Sequence, residues 1–366
     1  MSAGIPNTKR IHNFNAGPSV LPLSVFAEAS ASVLNFNNSG LSVLEIGHRT
    51  PEFTAVMEEA RSLVKEIMGL SADHEVLFLH GGATTQFMQV PMNLLDAKDT
   101  AAYTDTGVWS SKAIKEAKLF GKVEVVCSSK DKNYAYIPND FAVPNDSRYL
   151  HITTNNTIYG TQWHHIPHTS NTLVADMSSD IFSRKLKFSD FGLIYAGAQK
   201  NLGPAGTTLV IINQNITGKV KRQIPHIMDY QNHIREHSML NTPPVFAVYV
   251  CLLTLRWLKN EGGIAEMEKR NEEKAKLLYA EIDRNSLFTG TARTEDRSKM
   301  NACFVMKNPE LEKEFLSFAN SRDIYGIKGH RTVGGFRASM YNALPADSVN
   351  ALIDCMQEFE KQITNN

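Results

Sequence analysis

Cysteine is scarce and scattered in this chain of 366 residues. The four cysteines, Cys127, Cys251, Cys303 and Cys355, are far apart, and none belongs to a C-x-x-C pair. This spacing argues against a disulfide framework or a cysteine-based zinc site, and it favours a reducing compartment. The first residues contain no apolar segment of the kind that directs export. We therefore expect a cytoplasmic protein without a metal site.

An excess of charge is also missing, because 38 lysines and arginines balance 38 aspartates and glutamates. A neutral chain has no bulk electrostatic attraction for nucleic acid or for an anionic membrane. The most apolar long stretch, from Val245 to Leu258, is interrupted by Arg256 and is too short to span a bilayer. With 42% hydrophobic and 21% charged residues, the composition is that of an ordinary globular protein. We expect neither nucleic acid nor a membrane as a partner.

Short apolar runs alternate with helix-like segments through the middle of the chain. The runs are Glu75–Leu79, Ala101–Thr104, Val123–Cys127, Tyr149–Thr153, Thr172–Asp176, Leu193–Tyr195 and Thr207–Ile212. Helical patterns lie between several of them, for example over 84–95 and 108–120. This alternation predicts an α/β fold with a mostly parallel sheet.

The pattern changes towards the C-terminus, where residues 244–283 are helical with a break at Gly262 and Gly263. Beyond them we predict a strand over 300–306 and helices over 311–321 and 346–363. The first forty-odd residues carry turns without a strong period, and we expect them to wrap around the body. The predicted division is an N-terminal arm (1–15), a large domain (16–260) and a smaller C-terminal α/β domain (261–366).

The segment from Tyr195 to Gly206 surrounds one lysine with small residues. It reads Y-A-G-A-Q-K-N-L-G-P-A-G and follows a predicted strand. Small residues let the backbone approach a bulky ligand, and a desolvated lysine has a lowered pKa. Lys200 could therefore present the free amine that Schiff-base chemistry requires. The alternative is a surface lysine in a glycine-rich turn.

Asp176 ends another apolar run, and Lys200 follows it by 24 positions. That distance is about one strand–connection–strand unit, so both side chains would lie at the carboxyl ends of neighbouring strands. A carboxylate there can keep a pyridine nitrogen protonated, as pyridoxal phosphate (PLP) chemistry requires. Without such a ligand, Asp176 would be an ordinary helix N-cap.

Three further features are ambiguous from sequence alone. The segment H-G-G-A-T-T-Q at 80–86 could cradle a phosphate at a helix N-terminus, or it could be a plain turn. Trp109 follows a predicted strand and could stack on a planar ring, or it could be a core residue. The histidines between His164 and His168 have no carboxylate or cysteine at ligand spacing, so we expect no metal there.

Eight motifs in this order resemble the phosphoserine aminotransferase family, PLP-dependent class V aminotransferases. They are N-F-N-A-G-P (13–18), G-H-R-T-P-E-F (47–53), H-G-G with Q-F (80–87), N-T-I-Y-G (156–160), A-D-M-S-S with S-R (175–184), A-G-A-Q-K-N-L-G-P-A-G (196–206), N-T-P-P (241–244) and G-H-R-T-V-G-G-F-R-A-S-M-Y-N (329–342). One such motif would be weak, but eight in order run nearly end to end. The resemblance implies the aspartate-aminotransferase-like fold of the fold type I PLP enzymes.

The resemblance assigns catalysis to Lys200, Asp176 and Trp109. Lys200 would link covalently to PLP and move the substrate proton, Asp176 would pair with the pyridine nitrogen, and Trp109 would stack on the ring. Thr157 would bond the ring oxygen. The set expected to hold the cofactor is Ala83, Thr84, Trp109, Thr157, Asp176, Gln199 and Lys200, with Asn241 and Thr242 from a partner subunit. A site completed in this way implies a homodimer.

The resemblance also implies a basic substrate pocket. Arg337 would clamp the α-carboxylate. The group expected around the phosphate of phosphoserine or the side-chain carboxylate of glutamate is His48, Arg49, His330 and Arg331. One departure concerns Thr84, which stands where some members carry an arginine that contacts the phosphate. A lost charged hydrogen bond is worth about 1.5–3 kcal/mol, so phosphoserine affinity is the property at issue.

The implied reaction is a ping-pong transamination in L-serine biosynthesis. L-Glutamate gives 2-oxoglutarate, and 3-phosphohydroxypyruvate then becomes O-phospho-L-serine. The phosphohydroxythreonine step of pyridoxine biosynthesis stays open as a second activity. The alternatives are another class V PLP enzyme, such as an alanine–glyoxylate type transaminase or a desulfurase, and a non-catalytic α/β protein that binds phosphometabolites. The last would explain the glycines at 81–82 and the basic residues, but not Asp176 with Lys200.

Overall fold

The computed structural model describes residues 10–365. The strands in this range are β1 (His12–Asn13), β2 (His74–Leu79), β3 (Thr100–Asp105), β4 (Lys122–Ser128), β5 (Tyr149–Thr153), β6 (Asn155–Asn156), β7 (Thr161–Gln162), β8 (Thr172–Asp176), β9 (Phe191–Gly197), β10 (Thr208–Asn213), β11 (Phe288–Gly290), β12 (Asn301–Met306), β13 (Ile324–Tyr325) and β14 (Phe336–Ser339). The α-helices are α1 (Leu23–Leu34), α2 (Pro51–Met68), α3 (Gly82–Leu94), α4 (Val108–Ala117), α5 (Tyr230–Arg235), α6 (Val245–Asn260), α7 (Gly263–Arg284), α8 (Glu312–Asn320) and α9 (Ala346–Thr364).

A seven-stranded sheet forms the centre of the molecule, in the order β2-β10-β9-β8-β5-β3-β4. The pairings β9–β8, β8–β5, β5–β3 and β3–β4 are parallel. Strand β10 runs antiparallel to both of its neighbours. Each of the seven predicted strands belongs to this sheet, so the prediction of a mostly parallel α/β fold is confirmed.

Helices cover both faces of this sheet, and the side chains of β2 show how. Val76 and Phe78 point into a core that includes residues of α1, α2 and α6, whereas Leu77 and Leu79 point into a core with residues of α3 and α4. Successive side chains of a strand alternate between faces, so a run that is apolar throughout is buried on both sides. This explains why the predicted strands read as continuous apolar runs.

The first forty residues contain a helix, which corrects our expectation of turns without regular structure. Helix α1 buries Val25 and Ala29, but Phe26 is 46% exposed and Leu34 is 80% exposed. Apolar residues therefore occur all round the helix, and this hides the period on which sequence reasoning depends. The next helix, α2, was also missed, although Thr50 caps it by accepting a hydrogen bond from the Phe53 amide.

The C-terminal part has its own three-stranded antiparallel sheet, in the order β11-β12-β14. Residues from α7, α8 and α9 pack with this sheet around a separate core that contains Phe304, Phe315 and Phe336. Residues 1–9 of the predicted arm lie outside the described range. Strand β1, from the rest of the arm, pairs in parallel with β13 of the C-terminal part. The helix break at Gly262 and Gly263 is confirmed, since α6 ends at Asn260 and α7 begins at Gly263.

One edge of the large sheet collects the chemistry-bearing residues. Strands β9, β8, β5 and β3 are neighbours and parallel, so their carboxyl ends meet at this edge. Within residues 10–365, no helix has the length and apolar character to cross a membrane.

Candidate active site

Four residues predicted from sequence follow four neighbouring strands at this edge. Lys200 comes after β9, Asp176 ends β8, Thr157 comes after β5, and Trp109 lies in the first turn of α4, after β3. The order of these residues along the edge is the order of the strands in the sheet. The parallel topology therefore brings together side chains that are far apart in sequence.

Lys200 makes one hydrogen bond through its ammonium group. Its Nζ donates to the Thr157 hydroxyl at 2.8 Å and lies 5.7 Å from the centre of the Trp109 ring. Desolvation lowers the pKa of Lys200 to about 8. The charge of Arg337 lowers this pKa further, while the charge of Asp176 opposes the shift. A substantial fraction of this amine is therefore neutral at mildly alkaline pH.

Asp176 is 5% exposed, and its hydrogen bonds fall on one oxygen. Oδ1 accepts from the Ser178 amide at 2.9 Å and from the Ser178 hydroxyl at 2.6 Å. No residue in the described range donates a hydrogen bond to Oδ2. Burial raises the pKa of the Asp176 carboxyl, and the charge of Lys200 opposes this. Asp176 thus offers one fixed oxygen and one oxygen that can meet a ligand.

The N-F-N-A-G-P motif lies against Lys200, a contact that sequence reasoning missed because the motif carries no ionisable group. The Ser19 amide donates to the Gln199 carbonyl oxygen at 3.0 Å, and the Ser19 hydroxyl donates to the Lys200 carbonyl oxygen. Gly17 has φ +139°, and a Cβ there would lie 3.3 Å from Lys200 Cγ. Glycine therefore serves both the backbone angle and the close approach.

The predicted phosphate cradle forms the start of α3. This helix begins at Gly82, so the amides of its first turn, which include those of Ala83 and Thr84, have no intrahelical acceptor. Gly81 has φ +93°, and a Cβ there would collide with the Thr85 side chain, whose hydroxyl donates to the Gly81 carbonyl oxygen at 2.9 Å. The turn therefore requires glycine and leaves free amides at a helix N-terminus, where an anion binds.

Three other residues, Asn241, Thr242 and Gln199, are expected near the cofactor phosphate. Asn241 Nδ2 lies 3.4 Å from His80 Nδ1 of the same chain, next to the start of α3. Thr242 is exposed and makes no side-chain hydrogen bond within the described range. The Gln199 amide group lies beside Gly197, because a Cβ on that glycine would be 2.7 Å from Gln199 Oε1.

The C-terminal part contributes Arg337 from β14. Its Nη1 donates to the Thr157 carbonyl oxygen at 3.4 Å, and its Nε is buried without a protein partner. His330 is in the hairpin over 329–335, where its Nδ1 lies 2.8 Å from the Thr332 hydroxyl. Desolvation and then the charges of Arg337, Arg331 and Lys112 lower the pKa of His330. These cations therefore share one region.

His48 and Arg49 are not joined to this group within the chain. They immediately precede α2, and no hydrogen bond or ion pair in the described range links either to Lys200, His330 or Arg337. Arg49 is exposed, whereas His48 Nε2 is buried without a partner.

Lys112 was not predicted from sequence. It lies three residues after Trp109 on α4, and its Nζ is 4.6 Å from the centre of the Trp109 ring. The helical spacing between Trp109 and Lys112 is the signal that could have identified it, since residues three apart share a helix face.

The histidines at 164–168 do not converge with other ligands. His164 Nε2 lies 3.0 Å from the Arg297 carbonyl oxygen. Within residues 10–365, no group of three histidine, cysteine, aspartate or glutamate side chains has the geometry to hold a metal ion.

Several buried polar atoms at the edge have no hydrogen-bond partner in the described part of the chain. They include Trp109 Nε1, Asn156 Oδ1 and Arg337 Nε. Trp109 lies near Lys200, Asn156 precedes Thr157, and Arg337 donates to the Thr157 carbonyl oxygen. Buried polar groups normally find a partner, so these atoms, with Asp176 Oδ2 and the α3 amides, are suited to a polar ligand. A planar ring with a phosphate matches this set, and the residues present fit PLP.

Comparison with known proteins gives matches over nearly the whole chain. The class-V aminotransferase family model matches residues 11–352. The phosphoserine aminotransferase of Flavobacterium johnsoniae is 57% identical over 353 residues, which are 96% of this chain and 99% of that protein. A structure described as radiation damage of the Schiff base in phosphoserine aminotransferase is 45% identical with a TM-score of 0.94, over 97% of this chain and 100% of the other. A PLP-bound phosphoserine aminotransferase from Trichomonas vaginalis is 35% identical with a TM-score of 0.91, over 95% and 100%.

Proposed function

This chain belongs to the class-V aminotransferase family, and from that membership we propose that it is a phosphoserine aminotransferase. It interconverts 3-phosphohydroxypyruvate plus L-glutamate and O-phospho-L-serine plus 2-oxoglutarate, with PLP as cofactor, in L-serine biosynthesis. The observation that carries the proposal is one constellation at the sheet edge. Lys200 is hydrogen-bonded to Thr157 and lies 5.7 Å from the centre of the Trp109 ring. The charge of Asp176 acts on the pKa of this lysine.

The residues that hold PLP follow from the unpaired groups at this edge. Asp176 Oδ2 would accept a hydrogen bond from the protonated pyridine nitrogen, Trp109 would cover the ring, and the amides of Ala83 and Thr84 would bind the phosphate, together with Gln199. When bound, PLP supplies an electron sink that stabilises negative charge at the substrate Cα.

Lys200 is the residue that transfers the proton of the substrate Cα. Its amine has a pKa of about 8, so it can gain and lose a proton near physiological pH. The Thr157 hydroxyl, at 2.8 Å, sets the direction of Nζ. The positive charge of Arg337 lowers the pKa of Lys200. When a substrate carboxylate neutralises Arg337, this effect weakens, and Lys200 becomes a stronger base at the time it must accept the Cα proton.

Arg337 binds the α-carboxylate, and His330, Arg331, His48 and Arg49 bind the side-chain anion. A transaminase with two acidic substrates needs one pocket for a phosphate and a carboxylate in turn, because each half-reaction ends with release of its product. A transaminase for small neutral substrates would have no use for this many arginines and histidines. The basic group is therefore what favours the phosphoserine activity over an alanine–glyoxylate type.

We further propose a homodimer in which Asn241 and Thr242 of one subunit complete the site of the other. Leu34, Leu41 and Leu44 are exposed apolar side chains in the segment just before His48 and Arg49. A partner on this surface would cover the leucines and bring these two residues into a shared site.

Mixing two inactive variants tests this arrangement. Lys200→Ala removes the amine, and Asn241→Ala removes the amide. If Asn241 acts across the interface, a hybrid dimer regains one complete site, formed by Lys200 of one chain and Asn241 of the other. If Asn241 acts within its own chain, the mixture stays inactive.

We also propose that residues 16–260 and 261–366 form the large and small domains, preceded by the arm 1–15, in a cytoplasmic enzyme. The two parts have separate cores, and α7 contributes to both. Ile264 and Met267, near its start, pack in the first core, and Leu278 and Ile282 pack in the second.

The absorption spectrum of the purified protein, recorded before and after addition of O-phosphoserine, tests the function. We expect the visible band of bound PLP, and we expect phosphoserine to convert it to the pyridoxamine form. A band that responds to glutamate or alanine but not to phosphoserine would keep the transaminase and discard the substrate. No band after PLP is supplied would favour a binding protein without catalysis.

A further inference from the structure

Lys112 is the cation of this region that the proposed function leaves unexplained. It lies on α4, and its Nζ is 4.6 Å from the centre of the Trp109 ring. Lys200 Nζ lies 5.7 Å from the same centre. The ammonium groups of Lys112 and Lys200 therefore both lie near the indole ring that is proposed to cover the cofactor. Lys112 has no role in the proposed function.

Lys112 is exposed on α4, and Glu116, one helical turn further along, does not form an ion pair with it in the described range. Lys112 makes no ion pair within the described range, whereas Lys65 pairs with Glu75 and Lys299 pairs with Glu272. The first turn of α4 contains no acidic residue. The ammonium group of Lys112 has three donors and therefore keeps bonding capacity for an anion from outside the chain.

Besides desolvation and the charges of Arg337 and Arg331, the charge of Lys112 lowers the pKa of His330 in the substrate-binding hairpin. Arg337 in turn donates to the carbonyl oxygen of Thr157, the residue that receives the Lys200 hydrogen bond. Lys112 is thus linked to the catalytic lysine through the Trp109 ring, near which both ammonium groups lie.

The two substrates differ in the charge that this cation would meet. Near pH 8 a phosphomonoester carries almost two negative charges, whereas the side-chain carboxylate of glutamate carries one. Thr84, at the start of α3, supplies no charge of its own. An additional ammonium would therefore favour the phosphorylated substrate over glutamate.

We propose that Lys112 binds the phosphate group of the phosphorylated substrate and thereby sets the preference for it over glutamate. This inference rests on the proposed function and assigns a residue of the same pocket to one half-reaction.

Lys112→Gln is the test, with Lys115→Gln as the matched control. Lys115 is an exposed lysine on the same helix, and it makes no side-chain hydrogen bond or ion pair in the described range. We expect Lys112→Gln to raise KM for O-phosphoserine about tenfold, the loss of roughly one charged hydrogen bond. KM for glutamate should change less than twofold, and Lys112→Arg should retain most of the phosphoserine affinity. Inorganic phosphate should also inhibit the glutamate half-reaction less strongly in Lys112→Gln than in the parent enzyme.

Three results would overturn the inference. If KM for the two substrates rises equally, Lys112 acts on the Trp109 ring and not on the phosphate. If KM for phosphoserine and inhibition by inorganic phosphate are both unchanged, Lys112 does not bind the anion. The parent enzyme is assayed first. If it converts glutamate but not phosphoserine, the proposed function itself is wrong, and this is known before any variant is compared.

Discussion

Two lysines in different regions of the molecule have lowered pKa values, and only one of them faces the active-site edge. Lys200 lies after β9, and desolvation lowers its pKa to about 8. Lys274 lies on α7, is 2% exposed, and has its pKa lowered to about 7 by the same cause. Judged by the pKa alone, Lys274 would be the better candidate for a catalytic amine.

The difference between the two lysines is in their partners. Lys274 Nζ donates to the carbonyl oxygens of Met340, Tyr341 and Leu344 at 2.9–3.2 Å, which accounts for three donors. Among residues 10–365, the one acceptor for Lys200 Nζ is the Thr157 hydroxyl. Lys274 is therefore a structural cross-link between a helix and a loop, whereas Lys200 retains capacity for a ligand. A perturbed pKa identifies a functional site only when the group also has free bonding capacity.

Replacing Lys200 gives the largest contrast between these regions. In Lys200→Ala we expect turnover to fall at least 1,000-fold, because the group that moves the Cα proton is absent. Some PLP should still bind through the remaining contacts, which a spectrum of the loaded variant would show. Steady-state transamination by this variant within tenfold of the parent would contradict the assignment.

Replacing Asp176 should change the pKa of Lys200, although Lys200 itself is not substituted. The charge of Asp176 raises the pKa of Lys200, so Asp176→Asn should move that pKa below its present value of about 8. The pH dependence of Lys200 acylation in the cofactor-free protein, followed by peptide mass spectrometry, measures the shift. Turnover should fall about 100-fold, because the ring nitrogen loses its carboxylate. Asp190→Asn, a remote change, should leave the acylation profile unchanged.

Replacing Arg337 separates substrate binding from proton transfer. Arg337→Ala should raise KM for both amino acids about 10- to 100-fold, since a charged hydrogen bond to their shared α-carboxylate is lost. The pKa of Lys200 should rise in the same variant, opposite to the effect of Asp176→Asn. An unchanged KM for glutamate would argue against Arg337 as the clamp.

The large sheet and its active-site edge could be predicted from sequence for one physical reason. Buried parallel strands read as apolar runs, and their carboxyl ends meet at one edge. The sequence therefore predicted that Asp176 and Lys200 lie close together. The family resemblance assigned Thr157 to the ring oxygen of the cofactor, and the hydrogen bond of 2.8 Å from Lys200 Nζ to the Thr157 hydroxyl was not predicted.

Other features were hidden because their signal depends on tertiary contacts. Helix α1 exposes Phe26 and Leu34, so its apolar residues show no period. Ser19 holds the Lys200 segment through its amide and its hydroxyl, and Gly17 approaches Lys200 closely. These contacts depend on the folded chain and could not be identified from the sequence. Nothing near Lys274 in sequence indicates that three carbonyl groups from 340–344 surround its ammonium.

Replacing Lys274 should affect folding more than catalysis. Lys274→Met fills similar space but leaves three carbonyl oxygens without this donor, and we expect it to lower the free energy of unfolding by about 2 kcal/mol. Denaturant titration measures this change. We expect kcat to fall less than threefold at a temperature where the variant is folded. A loss of activity that exceeds the loss of folded protein would mean that the two lysines are not functionally distinct.

Removing the Thr157 hydroxyl is the smallest change and the sharpest test of what distinguishes Lys200. Thr157→Val keeps the shape of the side chain and the carbonyl oxygen that Arg337 binds. It removes the hydroxyl that accepts the Lys200 hydrogen bond and that the family resemblance assigns to the ring oxygen of the cofactor. One net hydrogen bond is worth about 1 kcal/mol, and we expect kcat to fall about fivefold. Thr157→Ser should restore most of the activity, because it restores the acceptor. If the serine variant were as impaired as the valine variant, the threonine methyl group would be what matters, and the direction of Lys200 Nζ would have to be set by its own backbone.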